Sequence, residues 1–429
     1  MLYRMSYFVP RNSFRNFPLL LLPLCGAGRL FSHWAKIPLA PPDKILGLTE
    51  AFRANTASNK VDLGVGAYRT DDGKPFVLES VREAERRILS RHLDHEYAGI
   101  AGVQSFLNLS IEFVYGHNST AIKDSRIAAI QSISGTGGCR VAAEFFSQNF
   151  GRGTKIYIPS PTWPNHINIL KQAGLTHEYY PYYDAVNKSL NFNALMDFLH
   201  TVPENSVILL HVCAHNPTGC DPSKSQWDAI SSIMKQRYLI PFLDCAYQGF
   251  ASGDPETDAY AVRKFVSDGH QFVLSQSFAK NFGLYGERIG AVSVVTSSSE
   301  EKERVLSQLK QIARPMYSNP PVYGARLVAE ILGDSKLCQL WAAECGGMAT
   351  RIQAMRILLR ENIEKLNRRP NSWRHITDQI GMFCYTGLDI DQVLQLAFIL
   401  WAQNNGCINS YNSIPMLILI LILIFTIRF

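Results

Sequence analysis

Short apolar runs alternate with helical patterns through most of this 429-residue chain. The runs have the length of buried strands and lie at 127–130, 155–158, 207–212, 239–243, 272–274 and 291–295. Helical patterns lie between them, for example at 139–149 and 224–236. This alternation predicts an α/β fold in which helices cover both faces of a mostly parallel sheet.

Chain length and charge distribution indicate the number of domains and the class of binding partner. A chain of 429 residues exceeds the size at which single cores usually stop growing, so a large and a small domain are expected. The net charge is +6, but residues 1–42 carry five basic residues and no acidic one. The remainder holds 37 basic and 36 acidic residues, a balance that does not suggest a nucleic-acid surface.

The N-terminal residues have the composition of an organelle transit peptide. Residues 1–30 are rich in Arg, contain Ser, lack acidic residues and include a short apolar run at 18–24. A secretory signal is the competing interpretation, but arginines on both sides of the run favour an address in the mitochondrial matrix, with the plastid as alternative. The nine cysteines show no C-x-x-C spacing, which indicates reduced thiols and neither a disulfide framework nor a metal site.

The stretch 275–290 carries the strongest chemical signal. Lys280 lies among small residues, with Ser277 before it and Arg288 after it. A lysine held in this way can form a Schiff base with an aldehyde cofactor, while a hydroxyl and a guanidinium suit a phosphate group. An isolated lysine is more often solvated at the surface. The combination indicates pyridoxal 5'-phosphate (PLP).

This stretch resembles the lysine motif of the aspartate aminotransferases, which belong to the class I PLP-dependent aminotransferases. The similarity runs from about residue 34 to about residue 393. It implies PLP-dependent transferase fold type I, with a mostly parallel seven-stranded sheet in a large domain and a smaller α/β domain. It also implies reversible amino-group transfer between L-aspartate and 2-oxoglutarate by a homodimer with shared active sites. Lys280 would bind the cofactor and carry the proton that moves during the reaction.

The resemblance also implies a division of the chain into segments. These are a transit peptide (1–30), an N-terminal arm with part of the small domain (31–75), the large PLP-binding domain (76–345), the small domain (346–393) and a divergent apolar tail (394–429).

A glycine-rich turn at 132–138 follows one predicted strand and precedes a predicted helix. Its amides and hydroxyls can bind a phosphate at the helix N-terminus, where the helix dipole favours negative charge. Alone, such a turn is weak evidence. The resemblance assigns Ser134, Gly135 and Thr136 to the phosphate cup, with Tyr97 reaching the phosphate of the neighbouring subunit.

Asp244 follows an apolar run and is expected at the end of a buried strand. A buried carboxylate needs a partner, and a protonated pyridine nitrogen would serve, although capping of the next helix is an alternative. The resemblance assigns Asp244 to the ring nitrogen and both Tyr247 and Asn216 to the ring oxygen. It assigns Trp163 to the ring face and puts His166 behind the aspartate.

Substrate selection is expected to depend on arginine, whose planar fork binds carboxylates in a bidentate manner. The resemblance implies that Arg314 crosses the dimer interface and holds the side-chain carboxylate of a dicarboxylic substrate. Gly66 matches a mobile loop over the α-carboxylate. Phe383, together with Trp163 and Asn216, is expected to line the substrate site.

After residue 393 the chain departs from the family pattern. The nearest equivalent of the family's Gly-Arg-Ile segment, whose arginine would bind the α-carboxylate, comes slightly early in the chain and has Cys407 in place of that arginine. No arginine occurs between Arg374 and Arg428. We therefore hypothesise that the chain binds cofactor but transaminates poorly. The apolar run 416–427 is too short for a membrane span, so membrane contact is not expected, and an alternative terminus without selected function is the preferred interpretation.

Two rival functions stay open at the level of sequence. One is a PLP decarboxylase or lyase, against which Arg314 and the Trp163 segment argue. The other is a catalytically silent subunit that pairs with a full-length paralogue, which the residue at 407 favours.

Overall fold

The computed structural model describes residues 32–40, 52–54, 56, 66–367, 373–388 and 391–392. Contacts divide the chain into two units, Met1–Asp43 and Lys44–Phe429. The transit peptide and the tail after residue 393 lie outside the described residues, and the division into a large and a small domain stays a prediction. Among the helices of the described part, none is both long and apolar enough to cross a membrane.

The strands are β1 (Ile127–Ile133), β2 (Lys155–Ser160), β3 (Thr176–Pro181), β4 (Tyr183–Asp184), β5 (Ser189–Leu190), β6 (Val207–His211), β7 (Ile240–Cys245), β8 (Phe272–Ser277) and β9 (Ile289–Val295). The helices are α1 (Glu79–Ser90), α2 (Gln104–Tyr115), α3 (Thr120–Lys123), α4 (Ser134–Phe150), α5 (Asn165–Gln172), α6 (Phe192–Thr201), α7 (Lys224–Gln236), α8 (Pro255–Asp258), α9 (Tyr260–Ser267), α10 (Ser299–Tyr317), α11 (Tyr323–Gly333), α12 (Ser335–Asn367) and α13 (His375–Asp378).

Seven strands form the central sheet in the order β1-β9-β8-β7-β6-β2-β3. Strand β9 is antiparallel to both of its neighbours, and the other pairs are parallel. The expected mostly parallel seven-stranded sheet is therefore confirmed. Strand β3 has no counterpart in the predicted set because it is an edge strand whose sequence, THEYYP, is mostly exposed and lacks an apolar run.

Apolar side chains cover both faces of the sheet. Phe242 on β7 and Val273 on β8 belong to a core cluster that includes residues of α4 and α10. The next residues, Leu243 and Leu274, belong to a second cluster with residues of α6, α7 and α9. Because successive side chains of a strand point to opposite faces, these clusters are the two halves of an α/β/α sandwich.

Local sequence signals account for where two key helices begin. Helix α7 starts after Ser223, whose side chain and that of Gln226 form a capping box, and its bounds agree with the predicted 224–236. Helix α4 begins at Ser134, earlier than the predicted 139–149, because the glycine-rich turn itself forms its first turn.

The carboxyl ends of β1, β6, β7 and β8 lie at one edge of the sheet, since these strands run in the same direction. This edge carries Ser134, His211, Asp244 and Ser277. Ligands of open α/β sheets bind at such an edge. The sheet therefore gathers the predicted site residues from distant parts of the sequence.

Candidate active site

Two serine hydroxyls meet at the start of α4. Ser134 Oγ lies 3.1 Å from Ser277 Oγ, and both residues are buried. Ser277 Oγ also accepts a hydrogen bond from the backbone N–H of Ala279 at 3.3 Å. The structure thus brings together the two halves of the predicted phosphate cup, which are 143 residues apart in sequence.

Close backbone packing explains the glycines of the cup. A Cβ atom on Gly290 would lie 2.7 Å from the carbonyl carbon of Ser134 and 2.6 Å from the carbonyl oxygen of Gln276. A Cβ on Gly135 would lie 3.1 Å from Ser277 Cβ. Thr136 follows in the first turn of α4 and is partly exposed. Only glycine at 290 lets β9 approach the helix start this closely.

Arg288 is a half-buried cation beside this cup. Its guanidinium donates a hydrogen bond to the carbonyl oxygen of Tyr285 at 3.0 Å. Within the described part of the chain it forms no ion pair with Asp or Glu, and burial lowers the pKa of the guanidinium. A partly desolvated guanidinium with no acidic partner suits an oxyanion such as phosphate.

Lys280 lies in the turn after β8, in contact with an aromatic side chain. Its Nζ atom is 5.3 Å from the centroid of the Tyr247 ring. The Tyr247 ring packs edge-on against that of Phe383, at 6.3 Å between centroids. Phe383 also packs on Gly66, where an added Cβ would lie 2.9 Å from Phe383 Cζ. Four predicted site residues therefore form one continuous cluster.

Asp244 is buried next to a histidine. His166 Nε2 lies 3.1 Å from Asp244 Oδ2. Burial alone raises the pKa of the Asp244 carboxyl, but the hydrogen bond and charge of His166, then His211 and Lys280, outweigh burial, and the net pKa is lowered. Asp244 is therefore ionised at neutral pH. His166 therefore contacts Asp244, and its place behind the aspartate as seen from a cofactor ring stays a prediction.

A chain of hydrogen bonds extends from Asp244 through His166 and Thr162 to His211. His211 Nδ1 accepts from the backbone N–H of Asn216 at 3.1 Å, so its Nε2 carries the proton and donates to Thr162 Oγ1 at 3.2 Å. Thr162 Oγ1 also lies 2.9 Å from His166 Nδ1, and the other ring nitrogen of His166, Nε2, donates to Asp244. Burial, and after it His166, lower the pKa of His211 to about 3, in accord with a neutral ring.

The sequence did not single out Thr162, His211 or Cys139 as members of this site. His211 is paired with Asp244 across β6 and β7, and a histidine ending an apolar run was the available signal. Cys139 Sγ lies within 4.8 Å of ligand atoms of His166 and Asp244. Burial, then Asp244, raise the pKa of this thiol well above its usual value, so it is protonated and a poor metal ligand.

Trp163 lies beside this chain, with its ring centroid 5.1 Å from that of His166. Asn216 follows β6 and is tied to His211 through its backbone. Asp244 is therefore bordered by segments from two loops that the sequence predicted for a cofactor ring.

Tyr97 and Arg314 do not join the cluster. Tyr97 is 83% exposed, and Arg314 is exposed with its guanidinium hydrogen-bonded to Ser318 Oγ. Cys407 lies outside the described residues. The single chain thus gathers the expected cofactor residues and leaves the two expected cross-subunit residues at its surface.

Comparison with known proteins identifies the family. The sequence model of a family described as "Aminotransferase class I and II" matches residues 58–415. This chain belongs to the class I and II aminotransferases. The family match includes Cys407, whereas residues 416–429 lie beyond it.

Individual aminotransferases agree with this assignment. A relative from Arabidopsis thaliana named "Aspartate aminotransferase, mitochondrial" is 50% identical, over 90% of this chain and 89% of its own. The solved aspartate aminotransferase from Saccharomyces cerevisiae cytoplasm is 41% identical with a TM-score of 0.82, over 85% of this chain and 90% of its own.

An aromatic-amino-acid aminotransferase from Burkholderia pseudomallei, solved covalently bound to pyridoxal phosphate, is 40% identical with a TM-score of 0.81. It covers 85% of this chain and 91% of its own. The expected type I fold, aminotransferase class and PLP cofactor of this chain are confirmed by these findings.

Proposed function

We propose that this chain is an aspartate aminotransferase, which reversibly transfers the amino group between L-aspartate and 2-oxoglutarate. The observation that carries the proposal is the buried, ionised Asp244, oriented by His166 at the sheet edge that also holds Lys280. The choice of aspartate rests on the 50% identity to the Arabidopsis aspartate aminotransferase over 90% of the chain.

The phosphate of PLP would be held by the cup at the start of α4. The hydroxyls of Ser134 and Ser277 are 3.1 Å apart and can both donate to one anion. The first-turn amides of Gly135 and Thr136 add donors where the helix dipole is positive. The half-buried guanidinium of Arg288 supplies the compensating charge.

The PLP ring would lie between Trp163 and the elements that carry Asp244, Asn216 and Tyr247. PLP supplies an aldehyde that bonds to amino groups and a pyridine ring that withdraws electrons. Asp244 would keep the ring nitrogen protonated because its carboxylate is ionised and buried. Asn216 and Tyr247 would donate hydrogen bonds to the ring oxygen.

Lys280 performs the proton transfer. With PLP bound, its Nζ atom would hold the cofactor aldehyde at rest and, once the incoming amino acid has replaced it there, would serve as the base that takes the proton from the substrate Cα and passes it on. Its place beside the Tyr247 ring, 5.3 Å from Nζ to the centroid, keeps the amine next to the residue proposed for the ring oxygen. General-base catalysis of this kind contributes about 10²- to 10⁴-fold to a rate.

The two carboxylates of the substrate, on its side chain and on its α-carbon, are proposed to be bound by different residues. Arg314 of the partner subunit's copy would bind the side-chain carboxylate, which favours dicarboxylic over aromatic substrates. Gly66 and Phe383, already in contact, would close over the α-carboxylate end. Cys407 supplies no charge there, so this end is bound more weakly than an arginine would bind it.

A homodimer with shared sites is part of the proposal, and the surface positions of two residues support it. Tyr97 is 83% exposed and Arg314 is exposed, although both are proposed to bind anionic groups. A second copy of the chain would bring each of them to the site of its neighbour. The chain is mitochondrial, in line with the Arabidopsis relative's name, and residues 1–30 are the proposed transit peptide.

Product analysis tests the reaction. The PLP-loaded protein is incubated with L-aspartate and 2-oxoglutarate, and amino acids are quantified by chromatography. Glutamate formed in a one-to-one ratio with aspartate consumed is expected. Formation of alanine or β-alanine without glutamate would instead establish the decarboxylase.

The silent-subunit alternative is favoured by Cys407 alone. It predicts no glutamate from the homodimer and activity only in mixed dimers with a full-length paralogue. Measuring both preparations at equal cofactor content separates that alternative from the proposal.

A further inference from the structure

Gln131 lies on β1, an edge strand of the central sheet, and is fully buried. Its backbone N–H donates to the carbonyl oxygen of Ala101 at 2.7 Å. Its carbonyl oxygen accepts from the hydroxyl of Tyr317 at 3.0 Å. The free edge of β1 is thus covered at this residue by two separate segments of the chain.

The side chain of Gln131 bonds the same two segments. Its Oε1 atom accepts from the backbone N–H of Val103 at 3.0 Å, and its Nε2 atom donates to the carbonyl oxygen of Pro321 at 2.7 Å. An exposed side-chain amide would gain little from these hydrogen bonds, because water could replace them. In a buried amide no water replaces a broken hydrogen bond, so the cost of removing the group from water is no longer offset.

The two segments, 97–103 and 317–321, also contact each other directly. Asn319 Nδ2 donates to the carbonyl oxygen of Ala98 at 2.7 Å. Gly102 packs on the glutamine so closely that a Cβ there would lie 2.3 Å from Gln131 Cβ, and its φ of +105° is one that side chains rarely adopt. Gln131, Gly102 and Asn319 therefore hold the two segments in one fixed arrangement.

The first segment contains, and the second segment directly follows, a residue proposed to act in the neighbouring subunit. Tyr97 begins the first segment. Arg314 lies in the last turn of α10 and hydrogen-bonds Ser318, the residue that caps this helix and belongs to the second segment. The side chains of Tyr97 and Arg314 are exposed in the single chain, so packing in the core does not fix the position of either one.

We propose that Gln131 is a positioning residue that fixes the segments of Tyr97 and Arg314 relative to each other. Through them it couples binding of the cofactor phosphate to binding of the distal substrate carboxylate in the partner's site. The role in binding rests on the proposed function, whereas the coupling of the segments is a property of this chain alone.

Two variants separate the hydrogen bond to Val103 from the hydrogen bond to Pro321. Gln131→Leu removes both side-chain hydrogen bonds. Gln131→Glu keeps an acceptor for Val103 N–H but loses the donor to Pro321, unless the buried acid is protonated and donates in its place. Burial raises the pKa of such an acid, so protonation is expected on mild acidification. Gln353→Leu is the control, because Gln353 Nε2 donates to the carbonyl oxygen of Thr377, far from both segments in sequence.

Amide hydrogen exchange of the full-length, PLP-loaded protein is the first measurement. In Gln131→Leu, exchange in both segments 97–103 and 317–321 should be at least about tenfold faster than in the wild type, the equivalent of one or two lost hydrogen bonds. Exchange in β2 of Gln131→Leu should match that of the wild type. Exchange in both segments of Gln353→Leu should also match the wild type. Acceleration of one segment alone, or of neither, would overturn the coupling.

Binding of succinate, an unreactive dicarboxylate, is the second measurement. Its dissociation constant should rise about tenfold in Gln131→Leu, while that of the monocarboxylate butanoate changes less than twofold. Gln131→Glu should regain succinate affinity as the pH falls, and Gln131→Leu should not. A pH-independent defect in Gln131→Glu, or equal losses for both ligands, would refute the positioning role.

Wild-type turnover distinguishes the two proposals. A wild-type chain that forms no glutamate from aspartate and 2-oxoglutarate contradicts the proposed function. The exchange measurement needs no substrate and still decides whether Gln131 couples the segments. If Gln131→Leu does not fold, Gln131→Glu and its pH series decide the same question.

Discussion

His166 Nε2 donates a hydrogen bond to Asp244 Oδ2 at 3.1 Å, and hydrogen bonds through Thr162 to His211 hold the His166 ring in this orientation. The carboxylate is thereby kept ionised although it is buried. A buried negative charge so oriented is what a cationic pyridine ring requires.

Replacing Asp244 by asparagine should cost most of the activity. Asp244→Asn removes the charge that keeps the ring nitrogen protonated, so kcat/KM for aspartate should fall by about 30-fold to several thousand-fold, the usual cost of unpairing a buried charge. Steady-state kinetics measure the change. Asp197→Asn, at an exposed position, is the control and should match the wild type. Wild-type kinetics in Asp244→Asn would show that this carboxylate does not serve the ring.

Arg288 should determine cofactor affinity. Arg288→Met removes a charge-assisted contact to phosphate, and the dissociation constant of PLP should rise by about 10- to 150-fold. Titration of cofactor-free protein, followed by absorbance, gives this constant. Arg263→Met is a matched control because Arg263 is also partly buried but is paired with Glu256. Equal affinities of the two variants for PLP would contradict the proposed phosphate cup.

Asp258 should produce a pH dependence of stability. Its carboxylate accepts backbone hydrogen bonds from Gly249 and Ala251, just after Tyr247, and burial raises its pKa to about 6 from 3.8. The folded state therefore binds this proton more tightly, so the contribution is fully present below about pH 4 and is lost as the pH rises through about 6. The loss amounts to about 3 kcal/mol at most.

Asp258→Asn removes that titration. The free energy of unfolding of the variant, measured by urea denaturation between about pH 4 and pH 7, should improve relative to the wild type as the pH rises. Asp197→Asn serves again as the surface control. A difference between Asp258→Asn and the wild type that does not vary with pH would mean that Asp258 titrates alike in the folded and unfolded states.

Much of this site could be predicted from the sequence because its signals are local. Apolar runs in the sequence predicted β1, β2, β6, β7, β8 and β9. The residues next to Lys280, Asp244 and the glycine-rich turn in sequence were enough to indicate the roles of these three features. Thr162, His211 and Cys139 could not be predicted, since only the register of β6 on β7 and the start of α4 bring them to Asp244.

Gln131 was missed for a related reason. A glutamine within an apolar strand gives no local signal, and its role depends on two loops that are about 30 and 190 residues away. The expected functions of Tyr97 and Arg314 could not be read from one chain, because both side chains point to solvent there.

Position 407 should limit affinity for the amino acid. Cys407→Arg restores a permanent charge where the resemblance expects one for the α-carboxylate, so kcat/KM for aspartate should rise by about 30-fold or more, mainly through a lower KM. Cys407→Lys, with charge but no planar fork, should recover less. This prediction rests on the sequence, as residue 407 is outside the described part. Unchanged kinetics in Cys407→Arg would show that another group binds the carboxylate.

The reaction of the PLP-loaded protein with aspartate alone tests the proposed function most directly. Without 2-oxoglutarate, each site can complete only the first half of the transfer. The absorbance band of lysine-bound cofactor should convert to that of pyridoxamine 5'-phosphate, with one oxaloacetate formed per site, and Lys280→Ala should show neither change. A wild-type spectrum that does not respond to saturating aspartate, or that responds equally in Lys280→Ala, would contradict an aspartate aminotransferase that works through Lys280.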